Sequence, residues 1–392
     1  RCKNFSRVGT KLNKASINLA TDITPFDDPK SIYEIQSEAI HALLSEAGIS
    51  IKDVDGLATN GVERFSSVGM SEYLGITPRW TESSFLGGSS YLTFIQRAIE
   101  AVESGQCNIA IVSYGSNQKS AKSRSLGGVI EAHTPQKIFE YSQGILSPLS
   151  LYALVAQRGF YEWGINSEDL AEIAVNSRKW AQLNKQAFYY GSGELKIEDV
   201  INSGMISSPL HKLDCCLVTD GGGAVLITND KIADKLNLQK IKVAGFGQRD
   251  THISYSQMPD YLVTGAKGSS EDALKGSKMK LDDIDVFQLY DSFTITVLST
   301  LSSIGLAHPK EIIDMFRDGE FFKGGKYPLN TSGGGLSYCH PGMLGLLLVI
   351  EAVKQLTGKL DNRQIKDAST AFVHGTGGVF STHASIVLER IS

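Results

Sequence analysis

Apolar residues recur at helical spacing between Ile32 and Ala47 (Ile32, Ile35, Ala39, Ile40, Leu43, Leu44), and Gly48 stops the run. Val54–Ala58 then reads as a short strand. Tyr91–Val102 carries apolar residues on nearly every face and stops at Gly105, the pattern of a buried helix, and Ile109–Tyr114 follows as a buried strand. Helix, glycine, strand is the rhythm of an α/β sheet. From about 118 to 212 the pattern changes. Tyr and Phe pairs, scattered Gln, a helical stretch near Leu170–Leu183 and weak strand signals predict an inserted loop domain lying over the sheet. Ala224–Ile227 resumes as a strand. A second cycle opens at Ile241–Ala244. It continues through Asp282–Leu289 leading into a strand, helices over Phe293–Ile304 and Gly342–Leu356, and strands at Ser369–Val373 and Ser385–Leu388. The element order of 241–392 echoes that of 30–115 plus 213–228, which predicts two halves, 1–233 and 234–392.

Composition narrows the class. The 392 residues suffice for two packed halves, and 42% hydrophobic with 20% charged residues is ordinary globular usage. A net charge of −4 gives no basic field for nucleic acid or an anionic membrane. The longest apolar run, around Met343–Ile350, is too short to cross a bilayer. No signal peptide is visible at Arg1, although the sequence lacks an initiator Met. Cys2, Cys107, Cys215, Cys216 and Cys339 show no CxxC spacing, so a reducing cytoplasm is expected and a zinc site is not. The 39 glycines fall in clusters such as Gly87-Gly88, Gly221-Gly222-Gly223, Gly333-Gly334-Gly335 and Gly377-Gly378, which lets backbone approach backbone or ligand closely.

Three segments carry candidate chemistry. Gln288-Leu289-Tyr290-Asp291-Ser292-Phe293 sits at a strand-to-helix turn. Asn330-Thr331-Ser332-Gly333-Gly334-Gly335-Leu336 runs into Ser337-Tyr338-Cys339-His340-Pro341-Gly342 ahead of an apolar helix. Val373-His374-Gly375-Thr376-Gly377-Gly378 ends a strand near the C-terminus. With Leu213-Asp214-Cys215-Cys216 and Thr219-Asp220-Gly221-Gly222 as a further marker, these motifs in this order resemble the thiolase superfamily from about residue 30 onward. The resemblance implies a thiolase fold: two similar βαβαβαββ halves in a layered α-β-α-β-α arrangement. The helix N-terminus behind His340 leaves backbone N–H groups and partial positive charge where a thioester oxyanion or enolate would develop.

The sequence departs from thiolases where the nucleophile belongs. The family places a cysteine about seventeen residues before the glycine that ends the buried helix. Counting back from Gly105 lands on Gly88, with no thiol. Ser89 and Ser90 lack an identifiable base to activate them. The segment that resembles the family's Asn-Glu-Ala-Phe is Tyr290-Asp291-Ser292-Phe293, and the second cysteine segment is replaced by His374-Gly375-Thr376-Gly377-Gly378. The first half also opens differently: Arg1–Lys14 is polar and basic, with only Val8-Gly9-Thr10 reminiscent of the family's apolar strand and Gly-rich turn.

Cleaving a β-ketoacyl thioester requires a nucleophile to accept the acyl fragment; retro-aldol cleavage of a β-hydroxyacyl thioester requires only proton donors, acceptors and an oxyanion hole. The chain is accordingly similar to the thiolase-like lipid-transfer-protein aldolases of bacterial steroid side-chain degradation, which carry Tyr-Asp-x-Phe and a Tyr shortly before the His-Pro. The resemblance implies that Tyr290, Tyr338 and His340 are catalytic. One phenol serves as base toward the β-hydroxyl (Tyr338 is favoured), the other as proton donor to the enolate, and His340 as a hydrogen-bond donor to the oxyanion. Asp291 is expected to cap the following helix. His374 either lines the pocket or holds the Gly-rich turn, and Gly88, Gly334 and Gly377 are candidate pocket glycines. Coenzyme A is expected as part of the substrate rather than as a bound cofactor. The resemblance also implies a homodimer and a heteromer with a partner built from an OB-fold barrel and a zinc ribbon. Two rival readings stand beside the aldolase: a condensing thiolase with an unrecognised nucleophile, Cys339 among the options, and a non-catalytic acyl-CoA-binding subunit.

Overall fold

The computed structural model describes residues 13–61, 64–123, 134, 136–145 and 148–391. Cys2 and the Val8-Gly9-Thr10 stretch lie outside them. The first half runs β1 (Ala15–Ile23), α1 (Ile32–Ala47), β2 (Gly56–Ala58), α2 (Ser66–Leu74), β3 (Trp80–Glu82), α3 (Ser90–Glu103) and β4 (Ile109–Ser116). Inserted segments follow: α4 (Pro148–Trp163), α5 (Ser167–Ala181), α6 (Ile197–Ile201), and a small ribbon of β5 (Met205–Ser207) and β6 (Leu210–His211). Then come β7 (Gly221–Asn229) and α7 (Asp230–Lys235). The second half comprises β8 (Lys240–Asp250), α8 (Ala266–Ser277), β9 (Val286–Leu289), α9 (Thr294–Ser303), α10 (Pro309–Arg317), α11 (Gly345–Leu356), β10 (Thr370–Gly377) and β11 (Thr382–Ile391).

Strand order is β3-β2-β4-β7-β1-β8-β11-β10-β9. The two halves of that sheet meet only where β1 touches β8, at Ile17 opposite Ile241. The first half realises the expected βαβαβαββ order in full. In the second, the third strand shrinks to a single bridge, Leu329 beside Phe287. Helices α3 and α11 pack on each other and on strands of both halves, while α1 covers the outer face of β1, β4 and β7 and α8 that of β8 and β11. The result is the α-β-α-β-α layering. Its central layer explains why α3 and α11 are apolar almost all round: Leu346, Val349, Ala352 and Leu356 of α11 are fully enclosed, as are Tyr91, Phe94 and Ile95 of α3. Each such Leu or Ile contributes on the order of 1.5–3 kcal/mol.

The opening strand was illegible because it is polar inside. Ser16 and Asn18 of β1 are buried, and they are satisfied by hydrogen bonds from Ser16 Oγ to Asp230 (3.0 Å), from Thr228 Oγ1 to Asn18 (2.8 Å) and from Asn18 to the Gln239 carbonyl (2.9 Å). The strand therefore exists at Ala15–Ile23, where Ile17 and Leu19 alternate with buried polar residues instead of forming a continuous apolar run. The inserted region holds more helix than expected, since α4 precedes the anticipated α5.

Candidate active site

Tyr290 follows β9 directly, and its N–H donates to the His374 carbonyl of β10 (3.0 Å). This fixes where the ring goes: against Gly88, in the turn that leads into α3. A Cβ at position 88 would lie 2.1 Å from Tyr290 Cε2 and 2.6 Å from the Thr376 carbonyl oxygen. The ring therefore occupies the room that a side chain at the head of α3 would need. Its hydroxyl reaches the head of α11. It accepts from Leu344 N–H (3.3 Å) and lies 3.2 Å from both the Gly342 carbonyl and His340 Nε2. Tyr290 and His340 are both buried, with rings edge to face at 5.7 Å.

His340 is held by its own backbone. Its N–H donates to Thr219 Oγ1 (3.0 Å), and its carbonyl accepts from Thr219 N–H (3.3 Å) and Gln118 Nε2 (3.1 Å). Tyr114 of β4 grips the next residues, donating to the Pro341 carbonyl (2.6 Å) and accepting from Met343 N–H (3.1 Å). The segment 215–219, known from the sequence only as a family marker, is thus a strap. Cys216 N–H donates to Ser292, Leu217 N–H to Gly335, and Thr219 N–H to His340, so one extended stretch pins two of the three site segments. Apart from the family marker, no signal in the sequence pointed to that role.

Burial sets the protonation states. It lowers the His340 imidazole to about 4 and raises the Tyr290 phenol well above its ordinary value. Near pH 7 the pair is a neutral imidazole facing a protonated phenol, at the positive end of a helix. Asp291, fully buried, does not cap α9, whose N-cap is Phe293 with no side-chain bond. Its carboxylate instead accepts from Gly335 N–H (2.7 Å) and Leu336 N–H (3.2 Å), closing the glycine-rich turn. Gly334 has φ +61°, and a Cβ there would meet Asp291 Oδ2 at 2.1 Å, so glycine is required twice over. Burial pushes Asp291 up to about 7, against the pull of those N–H donors.

Two expected site residues turn elsewhere. The Tyr338 hydroxyl donates to Asp22 at the end of β1, and Asp22 is also paired with Lys354. Burial alone would raise Asp22, but the Lys354 charge, with hydrogen bonds from Lys354 and Tyr338, outweighs it and holds the carboxyl below its usual range. Lys354 lies ten residues beyond Leu344 on α11, roughly 15 Å of helix axis. Tyr338 therefore spends its hydroxyl on the Asp22–Lys354 pair while remaining buried. The His374 ring turns to β11 rather than to the pocket or the Gly-rich turn. Gly375 faces Leu92 and the Gly88 carbonyl, so strand alternation turns the His374 ring to the opposite face, where it bonds Ser385 (2.8 Å) and His383 (3.1 Å). Gly377 packs on the turn before α3, with the Leu86 carbonyl oxygen 2.1 Å from where its Cβ would be.

No sulfur is poised as a nucleophile among the described residues. The Cys339 thiol faces Thr219 Oγ1 (3.2 Å) and the Asp220 carbonyl, and burial raises it to about 12. Cys216 lies within electrostatic range of Tyr290 and Asp291, and burial together with Asp291 drives its thiol far from ionisation. The Ser89 hydroxyl is engaged with the Leu86 carbonyl and Thr382, and Ser90 Oγ accepts from Leu86 N–H. Among the described residues no cluster of His, Cys, Asp or Glu could hold a metal, and no helix is long and apolar enough to span a membrane.

A profile described as "Thiolase C-terminal domain-like" matches residues 247–390. The chain is 30% identical over 362 residues to a "Steroid side-chain-cleaving aldolase" of Thermomonospora curvata, covering 89% of this chain and 91% of that protein. The chain belongs to the thiolase superfamily. Within it, similarity extends to the "17-hydroxy-3-oxo-4-pregnene-20-carboxyl-CoA lyase" of Mycobacterium tuberculosis, 29% identical over 372 residues and covering 91% and 95% of the two chains. A solved "Ltp2-ChsH2(DUF35) aldolase" superposes with a TM-score of 0.85 at 26% identity, over 97% of this chain and 98% of that one. The superfamily's two-half architecture accounts for the layered sheet, and the chain's own departure from it is concentrated at Gly88 and Tyr290.

Proposed function

We propose that this thiolase-superfamily member is a coenzyme A-thioester aldolase. It cleaves a β-hydroxyacyl-CoA into a ketone or aldehyde and a shortened acyl-CoA such as propionyl-CoA or acetyl-CoA. The observation that carries the reading is the Tyr290 ring filling the side-chain space of Gly88 while its hydroxyl meets His340. The position that would hold an acyl group covalently is filled by a phenol able to move a proton.

The chemistry follows from that pair. The neutral His340 imidazole takes the β-hydroxyl proton, the oxygen forms a carbonyl, and the carbon–carbon bond breaks. Its electrons move onto the thioester as an enolate. The Tyr290 phenol, kept protonated by burial, delivers its proton to the enolate carbon, and the proton on His340 returns to Tyr290 across their 3.2 Å contact. No net proton is consumed. The N–H groups at the head of α11, with Leu344 N–H already on the Tyr290 oxygen, favour the transient anions.

The named substrates of the relatives support a steroid side chain as the acyl group. The DUF35 component in the structural neighbour's name supports a heteromer with a barrel-type partner. We extend the reading to a homodimer and, from the free thiols of Cys107, Cys215, Cys216 and Cys339, to a cytoplasmic location. The test incubates the protein, alone and with such a partner, with a tertiary β-hydroxyacyl-CoA and follows ketone and short acyl-CoA by mass spectrometry. Release of both in equal amounts supports the reading. A covalent acyl-protein adduct would overturn it.

A further inference from the structure

The chain from His340 to Leu344 arches over the Tyr290 hydroxyl. His340 Nε2 and the Gly342 carbonyl each lie 3.2 Å from it, and Leu344 N–H donates to it (3.3 Å). The arch has little of its own to hold its shape. Pro341, Gly342 and Met343 belong to no helix or strand, and Gly342 takes φ +105°. Among the described residues no backbone–backbone hydrogen bond involves any of the three, although all are buried. Backbone groups left unpaired in that setting are costly, so side chains must satisfy them.

Two phenols do so in alternation. Tyr290, after β9, takes the Gly342 carbonyl and Leu344 N–H. Tyr114, in β4, donates to the Pro341 carbonyl (2.6 Å) and accepts from Met343 N–H (3.1 Å). One tyrosine from each half of the fold thus makes the same pair of bonds, one residue out of step. Tyr114 is firmly seated: its strand lies inside the sheet between β2 and β7, and its buried ring packs on that of Tyr91 at 4.9 Å.

We propose that Tyr114 is a positioning residue: it sets the shape of the His340–Leu344 arch from the first half of the fold, and so where the Tyr290 hydroxyl meets His340. The catalytic meaning of that contact rests on the aldolase reading above; the clamp on the arch does not. No proton of the reaction passes through Tyr114, whose own is committed to the Pro341 carbonyl. Without its hydroxyl, Pro341 and Met343 lose their partners, and the permissive Gly342 lets the arch shift to find others.

Tyr114→Phe keeps the ring and removes the hydroxyl. It should lower kcat for ketone release about tenfold to a hundredfold with KM within about twofold, the signature of a displaced catalytic pair. Tyr91→Phe is the control. It strips the neighbouring buried hydroxyl, bonded to Asn60 (2.6 Å), and should lose stability in urea yet keep kcat within about twofold. Placed in Tyr290→Phe, the Tyr114→Phe change should alter the rate by no more than about twofold, because no hydroxyl is left to aim. Amide exchange reads the arch without turnover. Leu344 N–H, whose partner Tyr290 is untouched, should exchange at least about tenfold faster in Tyr114→Phe and unchanged in Tyr91→Phe. Should Tyr114→Phe not fold, the wild-type protein decides: its Met343 and Leu344 amides should exchange as slowly as those enclosed in α11, and free exchange at either would overturn the proposal. Equal rate losses in Tyr114→Phe and Tyr91→Phe, multiplicative losses in the double variant, or unchanged Leu344 exchange would overturn it too. Faster Leu344 exchange in a protein that releases no ketone would sink the aldolase reading and leave the clamp standing.

Discussion

Gly88→Ala is the sharpest perturbation the structure offers, because it adds one carbon and nothing else. The backbone at 88 is not in the left-handed region, so alanine introduces no conformational strain there. All of its effect comes from crowding: 2.1 Å to Tyr290 Cε2 and 2.6 Å to the Thr376 carbonyl, where ordinary contacts between carbons are about 3.5–4.0 Å. The carbonyl belongs to β10 and cannot retreat, so the ring must. Overpacking of this kind typically costs about 1–3 kcal/mol. Moving the ring by the missing ångström also breaks its 3.2 Å contact with His340, and losing a positioned proton donor lowers the rate by about a hundredfold to ten-thousandfold. Urea denaturation and single-turnover ketone release measure the two effects. Tyr290→Phe should cause the same rate loss without the crowding, at a cost of about 1–3 kcal/mol, since it leaves the buried Leu344 N–H and Gly342 carbonyl without the hydroxyl. Tyr290→Ala combined with Gly88→Ala should be more stable than the two single changes predict, because the new methyl enters the space the ring vacates. Full activity in Gly88→Ala, or strictly additive stabilities in the double variant, would refute the idea that ring and glycine share one space.

Tyr338→Phe should spare the rate that Tyr290→Phe loses. It strips a hydrogen bond from the buried Asp22, so stability falls by about 1–3 kcal/mol while kcat stays within tenfold, a comparison read by the same two assays. Asp291→Asn cannot accept both Gly335 and Leu336 N–H groups as a carboxylate does, so the turn before His340 loosens and kcat should fall about tenfold or more with secondary structure intact by circular dichroism. The pH dependence has a definite sign. His340 and His383 are both lowered to about 4 from 6.5, so between those values the unfolded chain binds protons that the folded one does not, and stability is lost as pH falls from about 6.5 to 4. Asp291, raised to about 7, contributes the opposite slope across that whole window, and Asp214 and Glu103, also raised by burial, add to it. His374 and His252 are lowered as well, so four imidazoles stand against three carboxyls and acid should still destabilise, as urea midpoints at pH 7, 5.5 and 4.5 will show.

The fold was legible because glycines punctuated it. Ala47 ends its helix at Gly48, which takes φ +67°, and α3 and α11 announced their central burial by carrying apolar residues on nearly every face. What escaped was whatever depends on polar residues satisfied at long range. In β1, Ser16 and Asn18 find partners more than two hundred residues away, so local pattern reads them as loop. The same holds for the strap at 215–219, whose meaning lies in bonds to residues 292, 335 and 340.

The site divides along the same line. Tyr290, His340 and Gly88 could be named from the sequence because each stands at an element boundary, where position along the chain dictates direction in space. Tyr338 stands inside a turn closed by Cys339 N–H on the Gly334 carbonyl (3.2 Å), and two residues of such a turn can point its side chains to opposite sides. One of those sides holds His340 against Tyr290; the other holds Tyr338 against an aspartate contributed by a strand the pattern did not reveal. Proximity in sequence to His340 therefore does not settle where the Tyr338 hydroxyl goes: the carboxylate that receives it, Asp22, lies 316 residues away. On the proposed reading the proton chemistry falls to the Tyr290–His340 pair, whose 3.2 Å contact needs the space that the missing side chain at Gly88 leaves free.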